Sequence, residues 1–370
     1  MELIDVDSLR AQVLWAAFAV SGLFGAIAQR THFCTMGAVS DIVHMGDWTR
    51  MRMWGMAVGV AMAGFSLMAG LGGIDPTKTI YASGRIIWLS ATVGGLLFGF
   101  GMVLASGCGS KTLVRLGGGS LKALVVFCVM GLASFATLRG VTAVLRTETV
   151  DTVAFDVVAG GALPQWLAAG TGWGALPTTL WLGLAVGGLL ILWALTGPGF
   201  RTWDNLLAGL GIGGSVAAMW WVSGHVGFVT EHPETLESVY LATSSGRMEA
   251  LTFTAPMAHA LDWLIFYSDR SKLLTLSVVS VAGVVAGSLL YSLLTRSFRW
   301  EGFRDTRDTA LHLVGALCMG VGGVTAMGCT VGQGLSGLST LSLTSFIAVA
   351  GILLGAVLGF RFQLWLLERD

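Results

Sequence analysis

Long apolar stretches separated by short polar joints run along the chain from end to end. Such stretches occur at 13–28, 53–71, 86–105, 121–138, 178–195, 205–222, 273–294, 310–327 and 345–366. Each is close to the about 20 residues an α-helix needs to cross a hydrocarbon core. A tenth stretch, 255–266, is shorter and carries His259 and Asp262, which suits an interfacial or half-spanning helix. The pattern predicts an all-α integral membrane protein with about nine transmembrane helices, and no segment reads as a separate soluble domain.

Composition agrees. The chain is 54% hydrophobic and 11% charged, with a mean hydropathy of +0.77. Soluble domains carry about 25% charged residues, so there is too little polar surface here to cover a globule in water. The partner of such a surface is the lipid bilayer. A formal net charge of zero argues against nucleic acid, which calls for a basic face. The start is acidic and lacks the basic region of a cleaved signal peptide. Most of the 14 tryptophans, Trp220 and Trp221 among them, are expected in interfacial belts. With nine spans, thirteen Lys and Arg residues, including Lys111, Arg115 and Arg369, fall on one side. Eight, including Lys78, Arg85 and Arg270, fall on the other. The positive-inside rule then puts the N-terminus outside and the C-terminus in the cytoplasm.

An internal repeat is superimposed on the spans. Gly107-Cys108 and Gly328-Cys329 lie 221 positions apart, and each closes a Gly-rich apolar run. At that one offset Gly94, Leu96, Gly99, Gly101, Val103 and Ala105 find Gly315, Leu317, Gly320, Gly322, Val324 and Ala326. The expected organisation is a first repeat at about 11–140, a linker span at about 141–200 and a second repeat at about 201–370, all one transmembrane domain. Five crossings separate the first helix of each half, and an odd number turns the halves into two inverted pseudo-symmetric repeats. A weaker match sets Phe33-Cys34-Thr35 against Phe228-Val229-Thr230. The stretch after it, with Glu231, His232, Glu234, Glu237, Glu249 and Asp262, is expected to be an acidic external loop with surface helices.

The segments after each Gly-Cys, 109–119 and 330–340, are Gly-rich and too short to span. Short segments at matched points of two halves suit re-entrant helices lining a cavity. Five cysteines occur and none is spaced Cys-x-x-Cys. Cys128 and Cys318 lie inside long apolar spans, as packing residues do. Cys34, Cys108 and Cys329 sit where a span gives way to small and polar residues. Around them, Gly107, Gly109, Gly328, Gly332 and Gly334 allow a close backbone approach, and Thr35, Lys111, Thr330 and Gln333 supply polar groups. Gln333 can serve a substrate oxygen or a backbone carbonyl. Dispersed thiols without carboxylates are a poor metal cage, no phosphate-binding loop occurs, and no cofactor is expected.

The motifs Gly107-Cys108-Gly109-Ser110-Lys111, Gly328-Cys329-Thr330-Val331-Gly332-Gln333-Gly334-Leu335-Ser336-Gly337 and Phe33-Cys34-Thr35-Met36-Gly37 resemble the YeeE/YedE family of sulfur-transport membrane proteins. The first-half motif departs from the second in carrying Lys111 where the second has Gly332. The resemblance implies thiosulfate uptake across a bacterial inner membrane rather than enzymatic catalysis. It also implies that Cys34, Cys108 and Cys329 line a narrow central path, and that a small cytoplasmic TusA-like sulfur-carrier protein is a partner. Two other readings of the residues stay open. One is a membrane-embedded sulfurtransferase with a persulfide on Cys108 or Cys329. The other is a conduit for another soft species, such as a selenium oxyanion, sulfide or a metal ion.

Overall fold

The computed structural model describes residues 5–231, 233, 236–269 and 271–368; His232, Glu234, Arg270 and Arg369 lie outside the described residues. Fourteen α-helices are described, and nine helical segments are long and apolar enough to cross a membrane. All nine expected spans coincide with these segments.

The first half contains α1 (Val6–Thr31), the short α2 (Thr35–Met45), α3 (Thr49–Gly70), α4 (Trp88–Leu104), the short α5 (Gly109–Gly117) and α6 (Leu121–Arg139). Then come α7 (Val141–Glu148), α8 (Leu163–Thr171) and the long α9 (Ala175–Leu195). The second half contains α10 (Trp203–Trp221), the short α11 (Thr254–Ile265), α12 (Leu276–Leu294), α13 (Thr306–Thr325) and α14 (Leu343–Leu367). A wide helical turn, Gly332–Gly337, stands between α13 and α14 where the first half has α5. Two-residue antiparallel ladders join β1 (Arg85–Ile86) to β2 (Phe155–Asp156) and β3 (Phe228–Val229) to β4 (Val239–Tyr240).

Helix packing repeats between the halves. The α1–α12 pair has its counterpart in α10–α3, α4–α14 in α13–α6, and α2–α3 in α11–α12. At the α4–α13 crossing the repeat meets itself. A Cβ at Gly94 would come within 2.7 Å of the Gly322 carbonyl, and one at Gly101 within 2.6 Å of the Gly315 carbonyl. Lipid tails offer helices no hydrophobic reason to associate, so close backbone approach supplies the attraction through dispersion. Gly99, Gly287 and Gly355 face neighbouring helix backbone in the same way.

Three local expectations change. The short helix matching α2 in its packing is α11, starting at Phe253-Thr254, whereas Phe228-Val229 forms a strand. Among the described residues, none between 230 and 253 is helical, and the helix of the stretch that runs on to Asp262 is α11. Glu249 is buried rather than part of a solvated loop. It accepts from Ser245 N at 2.7 Å, Ser244 N at 3.1 Å and Ser244 Oγ at 3.0 Å, donors that replace its lost water. Trp220 is fully buried too, its indole donating to Ser339 Oγ at 3.0 Å, so it belongs to the core and not to a belt.

Candidate functional site: three thiols at the starts of short helical turns

Both long helices that lead to a Gly-Cys end in the same way. Ser106 and Met327, at matched repeat positions, both turn left-handed with φ 57°. The following glycine amides then reach back five residues, Gly107 N to Met102 O at 2.9 Å and Gly328 N to Gly323 O at 2.8 Å. This Schellman closure reverses the chain and places each cysteine at the start of a new helical turn.

Cys34 caps α2, its sulfur accepting the Gly37 amide at 3.4 Å. Cys108 caps α5 and lies 3.3 Å from Ser110 Oγ. Cys329 accepts the Gly332 amide at 3.4 Å, and Thr252 Oγ1 stands 4.0 Å from it. Each thiol is therefore set among the N–H groups that open a helical turn, where partial positive charge favours an anion. Cys108 and Cys329 are buried and Cys34 is partly exposed.

The thiols are also brought together. Cys34 and Cys108 face each other, although 74 positions apart in the chain. Cys108 also faces the hydroxyl of Thr330, the residue after Cys329. That Thr330 hydroxyl is buried without a nitrogen or oxygen partner. The polar order through the interior is thus Cys34, Cys108, Thr330, Cys329 and Thr252. By contrast Cys128 and Cys318 lie apart in long helices, in only partial exposure.

The two ends of this row differ. Near Cys34 gather Lys111, Arg50 and His32, with Arg115 close to Lys111. Gly37 leaves the space the Arg50 guanidinium occupies, since a Cβ there would stand 2.7 Å from Nη1. Arg50 Nε also pairs with Asp41 at 3.3 Å. Arg30 lies outside this group, paired with Asp204 at 3.1 Å. Beyond Cys329 stand neutral groups, Thr252 and Tyr81. Tyr81 borders a surface vestibule of about 640 Å³ that is also lined by Lys78, His225, Tyr240 and Thr340.

The remaining candidates have structural surroundings. Gln333 Nε2 donates to Ala326 O at 2.6 Å, and its Oε1 accepts from Ser345 Oγ at 2.6 Å. Its amide is thus spent on backbone and helix anchoring, one of the two roles open to it. Thr35 is buried in the first turn of α2. Gly334 packs on Trp54, where a Cβ would meet the indole at 2.9 Å. Gly109 lies near the methyls of Met130 and Met257, and Gly107 against the Lys111 stem. Gly332 is packed tightly against Thr252, and Gly328 lies beside Gln333. Sequence reasoning missed Arg50, Ser110, Thr252 and Tyr81. Arg50 read as ordinary interfacial charge, and Tyr81 and Thr252 lie in connections that carry no repeat signal. Among the described residues no group of three or more His, Cys, Asp or Glu side chains converges as a metal site would.

Among the described residues, nine helical segments able to cross a membrane pack with thiols at the starts of short helical turns, and they define a polytopic membrane protein of the transporter class. The sequence pattern of the sulphur transport family matches residues 30–358, and the chain belongs to that family. It is 27% identical over 357 residues to a thiosulfate transporter, TsuA, of Spirochaeta thermophila, covering 93% of this chain and 97% of that protein. It is 26% identical over 351 residues to the thiosulfate transporter TsuA of Escherichia coli, covering 90% of each.

Proposed function

We propose that the protein is a permease that imports thiosulfate across a bacterial inner membrane, with Cys34, Cys108 and Cys329 along the substrate path. The observation that carries this reading is the row Cys34–Cys108–Thr330–Cys329, each thiol at the start of a helical turn. Thiosulfate is a dianion with a soft terminal sulfur. A thiol donates weakly to it and its sulfur contributes polarizability, while the helix-start N–H groups offset the loss of water around the charge. Weak sites in series hold an ion well enough to enter and loosely enough to leave.

In this reading the halves, about 11–140 and 201–370 with 141–200 as linker, are inverted repeats about an axis in the membrane plane. The matched Gly94–Gly322 and Gly101–Gly315 contacts support it. The N-terminus lies outside and the C-terminus in the cytoplasm, so Lys111, Arg50 and Arg115 mark the inner mouth. There a TusA-like carrier would collect sulfur. The protein moves its substrate without chemically changing it.

The test is uptake of labelled thiosulfate by a bacterium lacking its own sulfate and thiosulfate importers and expressing this chain. Uptake is expected to survive Cys318→Ala and to be lost with Cys34→Ala, Cys108→Ala or Cys329→Ala. A parent that imports none defeats the substrate assignment, and four variants equal to the parent defeat the thiol path. Thiosulfate-dependent persulfide on Cys108 without uptake would replace the reading with a sulfurtransferase.

A further inference from the structure

Tyr81 occupies a short connection between α3 and α4. That connection is tied across to Met248 by two backbone bonds, Ile80 N to Met248 O at 3.3 Å and Met248 N to Lys78 O at 3.1 Å. The ring is buried. On one side it lines the 640 Å³ vestibule, and on the other a smaller cavity of about 200 Å³ bounded by Gln333 and Ser342. Trp220 meets it edge-on, with 6.2 Å between ring centroids. The Tyr81 hydroxyl donates to the Gly332 carbonyl at 2.7 Å. The amide of that same glycine donates to Cys329 Sγ. One glycine therefore links the phenol that walls the vestibule to the thiol behind it.

We propose that Tyr81 is the gate between the vestibule and Cys329. Latched on Gly332, it closes the approach to the thiol; released, its hydroxyl donates to an oxygen of an incoming divalent sulfur oxyanion. The inference rests on the transport reading above. A latch of one neutral hydrogen bond is worth about 1 kcal/mol net, weak enough for a substrate oxygen to replace it. Burial and the neighbouring Cys329 hold the phenol above its ordinary pKa, so it remains a neutral donor that does not repel a dianion. The repeat counterpart of Gly332 is Lys111, so the opposite mouth presents a cation where this one presents a neutral donor.

The test is the rate at which a charged, membrane-impermeant methanethiosulfonate modifies each cysteine of the protein in proteoliposomes, read by peptide mass spectrometry. Tyr81→Phe keeps the ring and removes the latch. It is expected to speed modification of Cys329 about fivefold, the worth of one neutral hydrogen bond, and to leave Cys318 unchanged. Tyr81→Ala should speed Cys329 further. An unchanged Cys329 rate in both variants overturns the gate. So does an equal acceleration at Cys318, which would mark general loosening. Thiosulfate uptake by the parent is measured in parallel. Its absence counts against the transport reading, while the modification rates still decide the gate.

Discussion

Ser106 and Met327 share a left-handed backbone, φ 57° in each, one residue before Gly107-Cys108 and Gly328-Cys329. A side chain in that region costs about 1–2 kcal/mol relative to glycine. Neither side chain is buried, so the strain is not offset by core packing. Strain of this kind accumulates where geometry matters for function, and here it aims a thiol. Ser106→Gly and Met327→Gly are each expected to raise stability by about 1 kcal/mol without loss of uptake. Met327→Val should lower it, because a β-branched residue tolerates positive φ least. Thermal melting of the purified protein in detergent checks both directions.

The α4–α13 crossing has no room for side chains at its glycines. In Gly101→Val the first added carbon would stand 2.6 Å from the Gly315 carbonyl and 2.8 Å from the Met319 amide. Both are backbone atoms that cannot swing aside. We expect this variant, and Gly322→Val at the matched position, to melt far below the parent or fail to accumulate. Gly188 in α9 has nothing within 4 Å. Gly188→Ala should melt at or above the parent, since alanine is favoured over glycine in a helix by about 1 kcal/mol.

The Thr330 hydroxyl is buried without a hydrogen-bond partner and faces the Cys108 thiol. If that hydroxyl serves the passing anion, Thr330→Val, which keeps shape and loses the donor, should lower thiosulfate uptake about fivefold or more. Thr330→Ser should retain it. Equal uptake by the valine and serine variants would count against a role for the hydroxyl.

Lys111 stands with Arg50 beside Cys34 and Cys108. Lys111→Ala should lower uptake about tenfold, since a hydrogen bond to a charged group is worth about 1.5–3 kcal/mol. Lys111→Arg should preserve most of it. Because Lys111 is only partly exposed, the loss should persist at about 0.15 M salt, where charges more than about 8 Å apart in water are largely screened. Initial rates in proteoliposomes at two ionic strengths provide the check.

Most of the architecture is written in hydropathy. A run of about 20 apolar residues has few stable arrangements other than a helix in a bilayer, where every backbone group must be satisfied within its own segment. Nine such runs, and the matched Gly-Cys segments after two of them, could therefore be read directly. So could Cys108 and Cys329, because a duplication preserves spacing. The second-half partner of α2 could not. Short half-spanning helices have weak periodicity, and Phe253-Thr254 shares too little with Phe33-Cys34 to stand out from Phe228-Val229.

Chain order alone thus determined a nine-span, all-α membrane protein with a repeated thiol, since those properties follow from local length, polarity and self-similarity. Tertiary structure decided which thiols meet, that Gln333 spends its amide on Ala326 and Ser345, that Glu249 is buried among serine donors, and that Tyr81 fastens to Gly332. Tyr81–Gly332 and Cys34–Cys108 join segments far apart in the chain, so no local pattern encodes them. The Glu249 and Gln333 bonds are nearer in sequence, but their strength depends on a burial that arises only when the helices pack.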